Sequence, residues 1–228
     1  MKRQLALNLL SKNVYNPDNF IFHSGIGISK DSLNSFLENL KFNVFNIKSN
    51  PRFGKTYFGV YLVDLFLKNN INARFLTLDS LLRDPNLFNK INSEILIIDD
   101  IDLSLNSDSN DVRRLFVSIY DHYKTNDLPI FLLSTLDYDF FKCDEHIKSR
   151  ICSGIEILID KPNQEELVSI FKYLLKQRGL VLSPKKIKYA MTRIGTSILE
   201  VEEYIDRLEY LKKETGAKLK YNFLEDAV

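Results

Sequence analysis

Short apolar runs alternate with amphipathic stretches along the first two-thirds of the chain. The runs of strand length are residues 44–48, 73–78, 94–99, 129–134 and 155–160. Several of them are apolar almost throughout, which is typical of parallel strands that are covered on both faces. Stretches with helical periodicity lie between them, at residues 30–40, 56–68 and 112–124. This alternation predicts an α/β fold in which helices pack on both faces of a parallel sheet.

After Pro162 the pattern becomes entirely helical. Residues 163–177, 184–194 and 198–213 have helical periodicity, and no strand candidate follows residue 160. Asn163 and Ser183 stand at N-cap positions, and Pro184 stands at a first helical position, where each residue type is favoured. The predicted organisation is an N-terminal segment (1–19), an α/β core (20–161) and a small all-helical domain (162–228).

Composition and charge narrow the class of protein. The 228 residues carry 31 basic and 30 acidic side chains, for a net charge of +1, which argues against a protein that coats nucleic acid non-specifically. Two cysteines and three scattered histidines support neither a disulfide framework nor a zinc site. No apolar run reaches the length of a membrane span, and no signal-peptide cleavage site follows the N-terminus. We therefore expect a cytoplasmic protein with no membrane association.

The first chemical motif follows the run at 44–48, where the sequence is SNPRFGKT. Gly54, Lys55 and Thr56 match the end of a phosphate-binding loop, whereas Ser49 replaces the usual first glycine. In such a loop, backbone N–H groups at a helix N-terminus bind phosphate, the lysine reaches the phosphates and the hydroxyl binds Mg²⁺. A chance Gly-Lys-Thr at a helix start is the alternative interpretation.

The second motif is a pair of acids at the end of an apolar run. Asp99 and Asp100 follow the residues ILII, so they are expected at the carboxyl edge of the sheet, where open α/β sheets bind ligands. Asp99 would bind Mg²⁺, and Asp100 would orient an attacking water. An isolated pair of this kind is as often a solvated acidic turn. With the upstream lysine motif, the pair predicts a site for ADP or ATP with Mg²⁺.

With both motifs present, the sequence resembles an AAA+ module and, more narrowly, the DnaA/Hda family of replication proteins. The resemblance extends over nearly the whole chain and implies a P-loop sheet followed by a helical lid. It implies adenine contacts by Phe20 and Ile21, a sensor 1 position at Thr135 and an arginine finger at Arg150. An ordinary solvated arginine is the alternative for Arg150.

The N-terminal peptide carries a further candidate motif. Leucines alternate with other residues there, so an extended segment would have one apolar face that can dock into a groove. The residues of this motif are Gln4, Leu5, Leu7 and Leu9. The resemblance implies that they bind the DNA polymerase sliding clamp (DnaN). A terminus whose leucines pack on the core is the alternative.

The branch of the family and the function follow from the resemblance. The chain ends after the helical region, so no helix-turn-helix domain and no sequence-specific DNA binding are expected, which favours an Hda-like protein. The family's sensor 2 arginine is replaced by Ile198 or Leu199, and Arg193 and Arg207 are out of register. The resemblance implies a regulator that binds the clamp and stimulates hydrolysis of ATP on DnaA. An autonomous ATPase of clamp-loader type and a non-catalytic adaptor between clamp and DnaA are the alternatives, and self-association into a homo-oligomer stays open.

Overall fold

The structure is a computed structural model that describes residues 17–38, 40–51, 53–84, 93–215 and 221–227. These residues form two compact units. The first unit comprises residues 17–20, 26–51 and 55–159, and the second comprises residues 21–25, 53–54 and the described residues from 160 onward. The chain leaves the first unit directly after its last strand, between Ile159 and Asp160.

In the described part of the first unit, five strands form one parallel sheet. They are β1 Val44–Ser49, β2 Ala73–Thr77, β3 Ile95–Asp99, β4 Ile130–Ser134 and β5 Ile155–Ile159. Their spatial order is β2-β3-β4-β1-β5, so β1 lies between two strands that come much later in the chain. The strands β3 and β4 are buried at every position, as expected for the most continuously apolar runs. The predicted α/β fold class with a parallel sheet is confirmed.

Helices cover both faces of this sheet. Among its described residues, the α-helices of the first unit are α1 Lys30–Leu37, α2 Lys55–Lys68, α3 Leu78–Arg83, α4 Ile101–Leu105, α5 Asn110–Thr125 and α6 Glu145–Cys152. On one face, Phe66 of α2 packs against Phe131 of β4 with ring centroids 5.6 Å apart. On the other face, Leu96 and Leu132 share a buried cluster with Phe116 of α5. Alternate residues of each strand therefore supply the two cores.

The predicted boundaries are wrong at several helix and strand ends. Leu78 is not the last residue of a strand: Thr77 ends β2, and its Oγ1 accepts a hydrogen bond from the backbone N–H of Ser80 at 3.2 Å, which caps α3. The helix predicted over 30–40 ends at Leu37, and the one predicted over 184–194 ends at Met191. The helices α3 and α4 were not predicted, because six and five residues are too few to show several turns of periodicity.

Among the residues described, the second unit contains four helices. They are α7 Gln164–Gln177, α8 Pro184–Met191, α9 Ile198–Thr215 and α10 Tyr221–Asp226. Asn163 caps α7 in a reciprocal capping box with Glu166, whereas Ser183 occupies the N-cap of α8 without a side-chain cap bond. The fully buried Phe171 and Ile205 belong to the core of this unit. Within the described part of the chain, no helix has the length and apolar character needed to cross a membrane.

Candidate functional site

The phosphate-loop motif lies between β1 and the first turn of α2. β1 ends at Ser49, and α2 begins at Lys55. Gly54, directly before the helix, has a φ of 91°, a left-handed conformation that favours glycine. The first backbone N–H groups of the 14-residue helix α2 have no partner within the helix, and its dipole attracts anions. The local fold therefore supplies the backbone features that phosphate binding requires.

Four side chains of the two motifs meet at the carboxyl edge of the sheet. Lys55 Nζ lies 3.2 Å from Asp99 Oδ1 and 2.9 Å from Asp100 Oδ1. Thr56 Oγ1 donates a hydrogen bond to Asp99 Oδ2 at 2.7 Å. Lys55 and Asp99 are both buried, with 8% and 3% of their surface exposed. The structure thus brings together Lys55, Thr56, Asp99 and Asp100, although more than forty residues separate the lysine motif from the acids in sequence.

The charges of this cluster are strongly coupled. Burial works to lower the pKa of Lys55, but attraction to Asp99 and the contacts with Asp100 outweigh it, so the pKa is raised above its usual value. The ammonium group is therefore retained at neutral pH. Asp100 adopts a left-handed conformation with a φ of 50°, which aspartate tolerates better than most residues. Its side chain is 44% exposed, so the second acid is accessible to solvent at the edge of the site.

The residue types at this edge fit a nucleotide with Mg²⁺. A hydroxyl and a carboxylate, from Thr56 and Asp99, are hard oxygen ligands, and Mg²⁺ commonly takes one or two protein ligands with phosphate and water oxygens. In the described ranges, no group of three or more His, Cys, Asp or Glu side chains could hold a metal alone. The buried Ser49 Oγ has no hydrogen-bond partner among the described residues. Ser49 thus places an unpaired hydroxyl at the end of β1, where the phosphate-loop pattern has its first glycine.

Asp102 connects the acidic motif to the predicted sensor 1 position. Its Oδ2 accepts hydrogen bonds from the backbone N–H groups of Thr135 at 2.9 Å and Leu136 at 3.0 Å. Asp102 is 1% exposed, and its position fixes the chain that follows β4. Sequence reasoning assigned it no role, because an acid two residues after Asp100 resembles a solvated turn. The short helix α4, which turns it inward, was not predicted.

The two residues predicted to contact adenine lie in different surroundings. Phe20 packs on α2, where its ring stacks on Tyr61 at a centroid distance of 4.6 Å and meets Tyr57 edge-on at 5.3 Å. Ile21 packs against the apolar core of the helical unit. The clamp-binding motif of Gln4, Leu5, Leu7 and Leu9 lies outside the described residues.

The sensor 2 region is organised by helix capping. Ser197 precedes α9, and its Oγ and backbone N–H both donate to Glu200 Oε2, at 2.7 Å and 2.9 Å. The two nearby arginines have other contacts in the same unit. The guanidinium of Arg193 lies 3.8 Å from the ring centroid of Tyr189, and Arg207 Nη1 donates to the carbonyl of Ala227 at 3.2 Å.

Arg150 lies in the last turn of α6, which is anchored firmly to the sheet. Ile151 is fully buried, and its carbonyl accepts a hydrogen bond from Asn46 Nδ2 of β1 at 2.6 Å. Gly154 follows the helix, and a Cβ there would approach the carbonyl oxygen of Val44 to 2.0 Å. Only glycine permits this close approach. The end of α6 is therefore fixed, while the Arg150 side chain is 27% exposed.

Comparison with known proteins finds sequence similarity to DnaA proteins over part of the chain. No family model matches the chain. The chain is 25% identical over 135 residues to the chromosomal replication initiator DnaA of Spiroplasma apis, covering 58% of this chain and 51% of that protein. It is 29% identical over 115 residues to DnaA of Campylobacter jejuni, covering 50% and 26%. The chain thus spans about half, or less, of the length of these relatives.

Solved structures agree with the sequence relatives in fold. Domain III of Thermotoga maritima DnaA has a TM-score of 0.74 at 16% identity, with 94% of this chain and 95% of that chain covered. AMPPCP-bound DnaA from Aquifex aeolicus has a TM-score of 0.70 at 22% identity, covering 93% and 70%. The RuvB branch-migration motor of Thermotoga maritima is more distant, with a TM-score of 0.63 at 13% identity, covering 88% and 68%. This chain therefore resembles DnaA in sequence over about half of its length and has the fold of DnaA domain III.

Proposed function

We propose that this DnaA-like protein is an Hda-like regulator of replication initiation, which binds the sliding clamp and stimulates hydrolysis of ATP bound to DnaA. The observation that carries the proposal is the placement of Arg150. It combines an anchored helix end, a partly exposed guanidinium and a position directly before the edge strand β5. Conversion of DnaA from its ATP form to its ADP form would prevent re-initiation.

Arg150 supplies the chemistry of an arginine finger in this proposal. A guanidinium is always charged and can bind phosphate oxygens with two parallel donors. Negative charge on the γ-phosphoryl oxygens grows in the transition state, so a cation that approaches them lowers the barrier more than it stabilises the ground state. In trans, such a group can accelerate phosphoryl transfer by about three to five orders of magnitude.

The chain's own nucleotide site has a supporting role in the proposal. Lys55, Gly54 and the N-terminus of α2 would hold the phosphates, Thr56 and Asp99 would hold Mg²⁺, and Asp100 would orient water. Phe20, Ile21 and Thr135 would complete the contacts to ADP or ATP. Ser49 in place of glycine, and an apolar residue at the sensor 2 position, favour binding over turnover.

The test of the finger is single-turnover decay of ATP pre-bound to DnaA, with clamp loaded on DNA and this chain in excess. Arg150→Ala should reduce the stimulated rate by at least about a hundredfold and leave clamp binding intact. Arg150→Lys should restore little, because an ammonium does not reproduce the planar two-donor fork. Arg114→Ala, at an exposed position of α5, is the matched control and should stimulate like the parent. Equal stimulation by the Arg150→Ala variant would reject the finger and favour the adaptor.

An autonomous ATPase of clamp-loader type is the second candidate. The observation that favours it is the assembled cluster of Lys55, Thr56, Asp99 and Asp100. Phosphate release by this chain alone, by DnaA alone and by both with loaded clamp separates the two functions. Steady release by this chain alone at the rate of the mixture would support the autonomous enzyme.

A further inference from the structure

Arg150 is held by groups of its own chain. Its Nη2 lies 3.5 Å from Asp121 Oδ1 on α5, and its Nη1 donates to the carbonyl of His146 on α6 at 3.0 Å. The guanidinium carbon lies 5.4 Å from the ring centroid of Tyr120, within cation–π range. Tyr120 is 5% exposed and meets Phe42 edge-on at 5.5 Å. The ring is therefore a fixed platform, against which the guanidinium rests.

The guanidinium of Arg150 makes only part of the hydrogen bonds that its donors can form. The buried Nε of Arg150 has no hydrogen-bond partner among the described residues, and an unpaired buried donor is costly. The 3.5 Å separation from Asp121 exceeds the roughly 2.7–2.9 Å of a close charge-assisted hydrogen bond. Asp121 is also 55% exposed, so water screens the pair. The contacts restrain Arg150 without locking it, and a stronger anion can displace them.

The charged side chains around the Tyr120 ring determine how strongly an anion would be attracted to Arg150. Lys124 Nζ lies 5.9 Å from the same ring centroid, so two cations lie close to one aromatic ring. Asp121 is the acid that pairs with Arg150 there. A polyphosphate approaching Arg150 would be attracted by the two cations and repelled by the carboxylate. Asp121 therefore opposes phosphate binding in two ways, by occupying the guanidinium and by its own charge.

We propose that Asp121 restrains Arg150 in the unbound chain and competes with the phosphates of a partner's nucleotide for its guanidinium. The proposal rests on the finger function proposed for Arg150 and adds an intramolecular control to it. The contact with Asp121 must break when the partner binds, so it weakens the association of this chain with DnaA. The contact between Arg150 and the γ-phosphoryl group in the transition state is the same with or without Asp121. Asp121 is thus a positioning residue that acts through Arg150.

The test separates association from the maximal rate. The chain is titrated into DnaA carrying pre-bound ATP with loaded clamp, and single-turnover decay gives a half-saturating concentration and a maximal rate. Asp121→Asn should lower the half-saturating concentration about two- to fivefold, the range expected for a partly exposed ion pair, with little change in maximal rate. Glu145→Gln removes an acid of α6 that pairs with Lys148 at 3.5 Å, and this control should leave both values unchanged.

The outcomes distinguish this proposal from the finger function. If Arg150→Ala collapses stimulation while Asp121→Asn leaves the half-saturating concentration unchanged, or lowers the maximal rate, the competition is wrong and the finger stands. If Arg150→Ala stimulates like the parent, the finger fails, and chemical modification tests the restraint alone. In the full chain without partners, phenylglyoxal should modify Arg150 about two- to fivefold faster in the Asp121→Asn variant than in the parent. Mass spectrometry measures the rate of this modification. An unchanged modification rate would overturn the restraint.

Discussion

Three carboxylates of α9 surround one guanidinium in the helical unit. Arg178 Nη1 contacts Asp206 and Glu209, the latter at 3.2 Å, and Lys213 Nζ lies 2.6 Å from Glu209. Glu202 lies one helical turn before Asp206, on the same side of α9. Burial raises the pKa of Glu202 to about 7, with Asp206 adding to the rise and Arg178 opposing it. Asp206 and Glu209 pair with Arg178, whereas Glu202 carries a burial penalty.

The raised pKa of Glu202 predicts a pH-dependent stability. Because the folded-state pKa of about 7 exceeds the ordinary value of 4.5, the folded chain binds more protons than the unfolded chain between these values. Stability is therefore lost as the pH rises through this window. Glu202→Gln should raise the free energy of unfolding by about 1–2 kcal/mol at pH 8 and change it little at pH 4.5.

Urea unfolding at the two pH values measures the effect of Glu202. Glu203→Gln makes the same chemical change at the next position of α9 and serves as the control. A stabilisation of equal size at both pH values would show that burial of charge is not its cause.

At the scale of elements, long periodic segments were predictable and short ones were not. β3 and α2 contain enough apolar residues for the sequence to distinguish strand from helix. Because parallel strands end at the same edge of a sheet, the apolar pattern also predicted that Asp99 would lie near Lys55. The helix α4 has five residues, less than two turns, and no periodicity could indicate it. The hydrogen bonds from the backbone of Thr135 and Leu136 to Asp102 depend on that helix, so they were not predicted either. The Asp121–Arg150 contact depends on the packing of α5 against α6, which the pattern of one chain does not encode.

The β1–loop–α2 element gives a prediction for nucleotide binding. Lys55→Met should abolish binding of ADP and ATP in calorimetry with Mg²⁺, because the variant loses the cation that attracts phosphate at the helix N-terminus. It should also lower the free energy of unfolding by about 3–5 kcal/mol, since the buried Asp99 loses its counter-ion. The parent chain should bind both nucleotides.

A matched control for Lys55 lies at the other end of α2. Lys68 is exposed and pairs with Asp64 and Asp18, so Lys68→Met should leave nucleotide affinity unchanged. Absence of any binding heat from the parent at millimolar nucleotide would contradict the site and favour a degenerate scaffold. Equal affinity of Lys55→Met and the parent would remove Lys55 from the site.

At the scale of the whole molecule, the proposed regulator would combine a clamp-binding peptide, a nucleotide-binding core and an arginine finger in the 228 residues of this chain. The net charge of +1 gives the chain little general attraction to DNA. Binding to a clamp already loaded on DNA would bring the chain close to DNA-bound DnaA, although its net charge attracts it little to DNA. Tethering converts the meeting with DnaA into a local event with a raised effective concentration. The peptide would therefore affect how much protein is needed, and Arg150 would affect how fast hydrolysis proceeds.

This division of roles predicts the effect of the peptide. The combined change Gln4→Ala and Leu5→Ala should weaken clamp binding by about 1–3 kcal/mol if these residues anchor the peptide in a pocket. With loaded clamp, the half-saturating concentration for stimulated hydrolysis should rise, while the maximal rate at excess protein should match the parent. Fold stability should change little, because a terminal peptide adds little to a core. Asn8→Ala, a polar position between Leu7 and Leu9, is the matched control and should bind normally. Binding of the double variant to the clamp with parental affinity, measured by surface plasmon resonance, would show that the alternating leucines pack elsewhere and that recruitment uses another surface.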